Sequence, residues 1–512
     1  MAGGNWGSSL FFIANLLNFV LATAVFTIPF PMHEVGILLG TIILATTCFI
    51  SVIACTFIIE SLAMKNSIRK RQINILRVAA KDIDENAENV ENDVNLERLN
   101  TGDLLISKSS TENLGENEIT SSIQEINDED ETKDDFYISK RFEISKLAKT
   151  SLAKPGYFFV VITIICYLYI GVTSNGIIAG NNLKDIIGRT FGSTLPDNSY
   201  YIIVICFFIL TIIIALNNIK HLKKFSMFIM IMRFVIIFLI MGCCFYSIIK
   251  YGAAEMKDIP KFDISNITVM IGNSLFVFMS HHSIPGMVEN FTPQRRLIKL
   301  LITGYIFSLI FIVAYSYVGL FAFSKPNLSC DKESPFPIAI QSTFSSNFLR
   351  LPVVGYIINY YPVLNVITSG MQLITLRNNI LDAIAGCSVS LSEKLNFAEQ
   401  KGIGALLKNF VFNTVVALPP ITIGLLLQNI QSLMKYFSSI LGFLLMLIVP
   451  LVVVTGYRNM FIKKKYNFSS LNRSFLKNRY GSWFIILMSI VIFGLIIFGF
   501  VRNMPNKTCV ND

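Results

Sequence analysis

Charged residues are scarce in this sequence, and that scarcity excludes a soluble enzyme. Only 15% of the 512 residues are Asp, Glu, Lys or Arg, while 53% are hydrophobic and the mean hydropathy is +0.59. Soluble domains carry about 25% charged residues. The composition therefore predicts a membrane protein.

Signatures of catalysis and of metal binding are missing as well. The sequence has no P-loop, which an ATP-driven pump needs, and no HExxH or paired CxxC set that would hold a metal. We predict that the protein is not an enzyme and holds no cofactor beyond a coupling ion, sodium or a proton. The basic residues are spread along the chain, so the net charge of +10 does not predict nucleic-acid binding.

The acidic residues are concentrated in one segment. Between Asp82 and Asp135 lie 18 of the 33 Asp and Glu residues and only three basic ones, a net charge of −15. A segment of this composition buries too little apolar surface to offset the entropy of ordering it. We predict a disordered cytoplasmic loop at residues 64–153, which is a candidate site for a cytosolic partner. It separates transmembrane helices 1–2 (residues 1–63) from helices 3–11 (residues 154–512).

The expected fold is all-α, with about eleven transmembrane helices in a lipid bilayer. A spanning helix needs about 20 mostly apolar residues. Eleven runs meet this requirement: residues 9–30, 36–62, 156–179, 200–216, 225–249, 267–287, 297–323, 352–376, 404–426, 433–457 and 483–501.

The distribution of Lys and Arg predicts the orientation. These residues are more frequent in the connections that lie inside when the N-terminus is cytosolic, and an odd number of spans then places the C-terminus in the lumen or outside the cell. The N-glycosylation triplets at Asn266, Asn327 and Asn506 fall on the outer side in this topology. Plasma and endolysosomal membranes are not distinguished.

Two spans contain prolines that predict helix interruptions. The first reads NLLNFVLATAVFTIPFP at residues 15–31, and the sixth reads FVFMSHHSIPG at residues 276–286. Proline removes a backbone donor, so each helix should kink or unwind just before it. An interruption at membrane depth is tolerated only where it is buried or lines a cavity.

The two interruptions open two successive sets of five spans. Because five is odd, the second set would cross the membrane upside down relative to the first. Interruptions at matching positions of two halves indicate a secondary transporter with an inverted repeat and a midplane binding site. The alternative is that each proline marks an ordinary packing kink, which is common in membrane helices.

At these residues the chain resembles the amino acid/auxin permease superfamily of amino acid transporters, and within it the transmembrane protein 104 group. The resembling stretches are residues 15–29, 57–63, 276–285 and 362–379. The resemblance implies eleven spans and a five-plus-five inverted repeat. At the first interruption the superfamily usually has Gly-x-Gly, whereas this chain has Ala22, Thr23 and Ala24.

The interruptions supply the candidate site residues. Free backbone groups beside a break suit a substrate carboxylate, which gives Ala22, Thr23, Ala24, Ser280 and His281 as substrate-binding candidates. Resemblance to sodium-coupled relatives implies ion binding by three further side chains: Asn18, Thr368 and Ser369.

Each of these candidates also has a structural interpretation. Thr and Ser hydroxyls in helices often bond to their own preceding turn. His281 and His282 point about 100° apart on a helix, so at most one of them should face a cavity. Arg233 is predicted to reach the membrane interface, and Glu60 to lie near a cytoplasmic helix end.

The leading functional prediction is a secondary active transporter of amino acids or similar small solutes that works by alternating access. The alternative is a membrane sensor or scaffold that keeps the fold without transporting. The missing glycines at the first interruption and the length of the acidic loop favour that alternative.

Overall fold

Helices make up all of the regular secondary structure in the part of the chain that the structure describes. The structure is a computed structural model that describes residues 6–90, 136–192, 195–196, 198–216, 219–289, 291–324, 340–387, 403–464, 474 and 479–502. We number the helices in chain order: α1 Trp6–Thr27, α2 Pro29–Val35, α3 Ile37–Val90, α4 Ile144–Ser151, α5 Lys154–Thr190, α6 Asn198–Ala215, α7 Ile219–Tyr251, α8 Ile267–Val277, α9 Ile284–Val288, α10 Leu297–Phe323, α11 Val354–Cys387, α12 Ile403–Leu426, α13 Ile430–Lys463 and α14 Arg479–Arg502.

Each of the eleven predicted spans overlaps a helix, and the structure confirms an all-α polytopic membrane protein. Nine helical segments within the described residues are long and apolar enough to cross a bilayer, and the bent pair α1–α2 makes a tenth. The eighth predicted span corresponds to α11, which has 34 residues and is not among these ten. Buried Asn359, Asn365 and Arg377 lie along α11.

Burial separates central helices from peripheral ones. In the most apolar stretches, 78% of the residues of α3 and 83% of those of the α8–α9 span are buried, against 28% in α14. Apolar side chains on α14 that face outward are therefore available to lipid, whereas α3 and the sixth span form the centre. The residues around the sixth interruption lie inside this centre.

The first span bends but keeps helical hydrogen bonds on both sides of the bend. The axes of α1 and α2 meet at 59°, with Ile28 between them. The Ile28 amide donates to the Ala24 carbonyl at 3.0 Å, and the Met32 amide donates to the Ile28 carbonyl at 3.1 Å. The predicted kink before Pro29 is therefore present, but it lies beyond Ala24.

Pro29 leaves one carbonyl of α1 without its helical donor, because the Val25 carbonyl would normally bond to the amide of residue 29. The Tyr315 hydroxyl on α10 donates to that carbonyl at 3.0 Å. A side chain from another span thus satisfies the group that the first proline frees.

Pro31 frees the Thr27 carbonyl in the same way. The Gln431 side chain at the start of α13 donates to Thr27 at 3.3 Å and to the Ser342 carbonyl at 2.7 Å. The other side-chain atom of Gln431 accepts from the Asn273 amide group at 2.9 Å. Gln431 therefore ties the first span, the sixth span and the segment before α11 together at the predicted outer end.

The sixth span unwinds where the sequence predicts an interruption. Residues 278–280 are not helical, and a 3-10 turn at His281–Ser283 leads into α9. The Phe278 carbonyl accepts from the Ser51 hydroxyl at 2.7 Å and from the Tyr305 hydroxyl at 3.2 Å. Helices α3 and α10 thus supply the partners that make an unwound segment tolerable at this depth.

Part of the predicted loop is folded. The boundary predicted at residue 63 lies inside α3, which continues to Val90, and the segment at residues 136–143 leads into α4. The Asn66 side chain bonds to both backbone groups of Lys140, at 3.0 and 3.1 Å, and the Gln294 side chain bonds to both backbone groups of Ile138, at 3.0 and 2.9 Å. Disorder remains a prediction for residues 91–135, which lie outside the described residues.

Candidate functional site

The candidate site lies where the sixth interruption meets α1 and α5. The His282 ring lies 6.2 Å from the Phe19 ring on α1 and 6.0 Å from the Tyr167 ring on α5, measured between centroids. Tyr167 also contacts Phe276, at 5.8 Å. An imidazole with two aromatic neighbours, one from α1 and one from α5, thus occupies the point where the sixth span is unwound.

The preceding histidine faces another direction. His281 is fully buried, and the backbone of Ser51 on α3 is one of its polar neighbours. Neither ring nitrogen of His281 reaches hydrogen-bond geometry with a partner among the described residues. The sequence predicted that at most one histidine of the pair faces a cavity, and it gave His281 as the substrate-binding candidate. In the structure it is His282 that faces α1 and α5. The 3.6-residue helical period shows that the two side chains point in different directions, but it does not show which of them faces these helices.

The hydroxyl of Ser280 belongs to a buried hydrogen-bond cluster. Its oxygen lies 2.6 Å from the Tyr305 hydroxyl and 3.8 Å from the Cys55 sulfur. Tyr305 also accepts from Ser51 at 3.0 Å. In this arrangement Ser280 helps to hold the unwound backbone against α3 and α10.

The three first-span candidates lie inside α1 and not at its end. Residues 22–24 are helical, and the Ala24 side chain is 1% exposed. The side chains of Ala22 and Thr23 lie outside the described residues. The interruption predicted at these positions is corrected to Ile28, because alanine is a strong helix former and the first missing donor is that of Pro29.

Arg233 donates hydrogen bonds to the oxygen atoms of Asn18, one of the three residues predicted to bind an ion. Its guanidinium donates to the backbone carbonyl of Asn18 at 2.8 Å and to the Asn18 side-chain oxygen, and it donates to the Tyr361 hydroxyl at 2.9 Å. Arg233 is 5% exposed, so the prediction that it reaches the interface is wrong. No Asp or Glu pairs with it in the part of the chain that the structure describes.

The other two ion-site candidates lie elsewhere on α11. Ser369 is buried, and its hydroxyl has no hydrogen-bond partner among the described residues, while Thr368 is half-buried. Ser369 lies eight residues beyond Tyr361, which is roughly 12 Å along a helix. The resolved hydrogen bonds of Asn18 go to Arg233 and not to either of these hydroxyls.

Two polar contacts that sequence reasoning missed join distant spans. Asn175 on α5 donates to the Gln372 side chain on α11 at 3.3 Å. At the predicted inner end, fully buried Glu60 accepts from Arg458 on α13 in a bidentate pair at 2.7 and 2.8 Å. A polar residue inside an apolar run indicates that a polar partner is needed. The sequence does not identify that partner, because it lies up to 398 positions away.

No group of three or more His, Cys, Asp or Glu side chains able to hold a metal occurs within the described ranges. Asn266, one of the three predicted glycosylation sites, is half-buried and donates to Glu34 at 2.8 Å. Asn327 and Asn506 lie outside the described residues.

The fold and these contacts define a multi-pass helical membrane protein with interruptions in its first and sixth spans. The chain belongs to the family of transmembrane amino acid transporter proteins, whose family model matches residues 139–501. This agrees with the resemblance noted from the sequence.

Individual relatives are similar over almost their whole length. The chain is 27% identical over 495 residues to a transmembrane protein 104 homolog of Dictyostelium discoideum, covering 93% of each chain. It is 22% identical over 479 residues to transmembrane protein 104 of Homo sapiens, covering 88% of each. The homolog of Drosophila melanogaster is 22% identical over 473 residues, covering 86% of each.

Proposed function

We propose that the protein is a secondary active transporter of amino acids or similar small solutes, working by alternating access around a site near the membrane midplane. The observation that carries this proposal is the unwound segment at residues 278–280, which is buried among the central spans. Side chains of α3 and α10 donate hydrogen bonds to its backbone at Phe278. Non-helical backbone at membrane depth is typical of transporter binding sites. Membership in an amino acid transporter family supports the same function.

We propose His282 as an additional substrate-binding residue beside the predicted set of residues 22–24, Ser280 and His281. Imidazole can donate a hydrogen bond to a carboxylate, and the aromatic rings of Phe19 and Tyr167 beside it suit an ammonium group. An amino acid presents both groups on one carbon atom. The three side chains therefore match the part that all amino acids share.

We propose that coupling, where it occurs, uses protons and not sodium bound at Asn18. The guanidinium of Arg233 already takes up the two Asn18 oxygens that a sodium ion would need. Arginine stays charged at all physiological pH values, so a second cation there would meet repulsion. The alternative is sodium binding at the predicted ion site, Asn18, Thr368 and Ser369. Uptake driven by a sodium gradient would support that alternative.

Uptake into proteoliposomes tests the proposal. Purified protein is reconstituted and given labelled amino acids under a proton gradient, a sodium gradient or neither. We expect accumulation of at least one amino acid under the proton gradient and no additional uptake from sodium. Folded protein that gives only the background of empty liposomes under every condition would contradict transport.

One observation favours a non-transporting sensor or scaffold as the second candidate. The first span is a closed helix at residues 22–24, so its backbone groups there are bonded internally and not presented to a solute. A sensor would give no uptake in the assay above but would bind a cytosolic partner through the acidic loop. Pull-down with a deletion of residues 91–135 as control distinguishes the two candidates.

The proposed orientation places the N-terminus in the cytosol and Asn266, Asn327 and Asn506 on the outer side. Glycosidase treatment of the protein from membranes tests this orientation, because only outer triplets can carry a glycan. A mobility shift that Asn-to-Gln changes at these three positions abolish is the expected result. A shift that persists in the triple variant would contradict it.

A further inference from the structure

One part of the predicted cytoplasmic loop, residues 136–143, is packed into the predicted inner end of the protein, and we call it the strap. It is not helical, and two of its side chains, Phe136 and Ile138, are 4% and 0% exposed. The centroid of the Phe136 ring lies 6.1 Å from that of Phe461 on α13. After the strap the chain enters α4, which packs against α3, α5 and α13.

Two buried amide side chains hold the strap by its backbone. Asn66 on α3 donates to the Lys140 carbonyl at 3.1 Å and accepts from the Lys140 amide at 3.0 Å. Gln294 does the same at Ile138, where it donates to the carbonyl at 2.9 Å and accepts from the amide at 3.0 Å. Because buried amide groups are costly to leave unpaired, both side chains favour the strap in this position.

The strap lies beside the inner half of the sixth span. Gln294 begins the 3-10 turn that follows α9. Arg141 in the strap faces α9 itself, since a Cβ atom added to Gly286 would lie 3.2 Å from the Arg141 guanidinium. The strap therefore joins Asn66 on α3 to the chain on both sides of the end of α9. A movement of α9 away from α3 would have to break these contacts.

The same movement would open the buried cluster around the unwound segment. Cys55 on α3 is 0% exposed, and its sulfur lies 3.8 Å from the Ser280 hydroxyl and 3.3 Å from the Tyr305 hydroxyl. Ser280 belongs to the sixth span, so separation of that span from α3 brings water to Cys55. The Cys55 thiol is therefore a native reporter of whether the sixth span is closed against α3.

We propose that the strap holds the inner half of the sixth span closed against α3, and that its release from Asn66 and Gln294 allows α9 to move away from α3. Access to a midplane site changes when one group of helices moves against another. The four hydrogen bonds from the two amides are each of ordinary strength, so a closed state held in this way is reversible. The inference concerns how the sixth span is held and is tested without a transported solute.

The experiment measures how fast Cys55 is alkylated. Purified full-length protein in nanodiscs is treated with a small water-soluble maleimide, and mass spectrometry of peptides follows Cys55 separately from the other cysteines. We expect Asn66→Leu to raise the alkylation rate of Cys55 at least about tenfold, because it removes both bonds to Lys140. Gln294→Glu is a gentler variant of the same shape that loses the donor to the Ile138 carbonyl, and it should raise the rate as well.

The matched control is Asn409→Leu. Asn409 is also a buried asparagine, but its side-chain oxygen accepts from Arg377 on α11, a contact that involves neither the strap nor α3. We expect its Cys55 rate to stay within about twofold of the wild type, since the strap bonds are intact. Hydrogen exchange of residues 136–143 shows in each variant whether the strap is released.

Two results would overturn the proposal. In the first, Asn66→Leu and Gln294→Glu speed hydrogen exchange in the strap, or leave it unchanged, without faster alkylation of Cys55. In the second, Asn409→Leu accelerates alkylation of Cys55 as much as Asn66→Leu does, which would show general loosening of the protein. Faster alkylation in the two strap variants alone, together with faster exchange at residues 136–143, is the result that supports it.

Discussion

The first and sixth spans both contain proline, yet one bends and the other unwinds. In the first span, Ile28 still bonds to the Ala24 carbonyl, so helix continues on both sides of the bend. In the sixth, three residues leave the helix, and hydroxyl groups of Ser51 and Tyr305 bond to the Phe278 carbonyl instead. The comparison teaches that neighbouring helices, and not proline alone, decide whether a span opens.

The largest change in the free energy of unfolding should come from removing the Tyr305 hydroxyl, which bonds to the unwound segment. Tyr305→Phe takes a hydrogen-bond partner from Ser280, Ser51 and the Phe278 carbonyl, all fully buried, so we expect a loss of roughly 3 kcal/mol in the free energy of unfolding. Unfolding in a detergent titration measures it. Tyr317→Phe on the same helix is the control, because that hydroxyl meets half-buried Thr41 and its loss should cost under about 1 kcal/mol. Equal losses in the two variants would contradict a special role for Tyr305.

The next prediction concerns the closed part of the first span. Ala22→Gly combined with Ala24→Gly places two glycines inside a continuous helix, which should destabilise the protein by about 2 kcal/mol. The same titration measures the change, and Ala→Ser at both positions is the milder control. An unchanged free energy of unfolding would mean that residues 22–24 are not helical, as the family resemblance implied.

A smaller loss of stability is expected when the hydrogen bond at the bend of the first span is removed. Tyr315→Phe leaves the Val25 carbonyl without its donor but keeps the helix on both sides, so we expect a loss of about 1 kcal/mol. The value should be clearly below that of Tyr305→Phe measured in the same way. A loss as large as that of Tyr305→Phe would remove the distinction between the two spans.

The smallest effect is expected at the proline of the sixth span. Pro285 lies in the first turn of α9, where a backbone donor has no helical acceptor, so Pro285→Ala should change the free energy of unfolding by less than about 0.5 kcal/mol. The detergent titration again measures the change. A large loss would show that the proline, and not the contacts of residues 278–280, determines the interruption.

Sequence reasoning predicted the spans and both interruptions because apolar length and proline are local signals. It missed the environment of Arg233, because that depends on Asn18 and Tyr361, which lie 215 and 128 positions away. The family resemblance placed the break of the first span at residues 22–24, but the alanines that stand there in place of glycines remain helical. The positions of prolines predict where a helix can be interrupted. Contacts between spans determine whether it bends or unwinds there.

The most direct test of the central claim measures whether a solute binds at the sixth interruption beside His282. Proton-driven amino acid uptake is compared in proteoliposomes of the wild type, His282→Ala and His33→Ala, the last being a control because His33 lies on α2, at the predicted outer end beside Glu34. We predict that His282→Ala lowers uptake at least about tenfold, which corresponds to loss of a charge-assisted hydrogen bond, while His33→Ala retains it. Wild-type uptake that His282→Ala leaves unchanged would contradict the account.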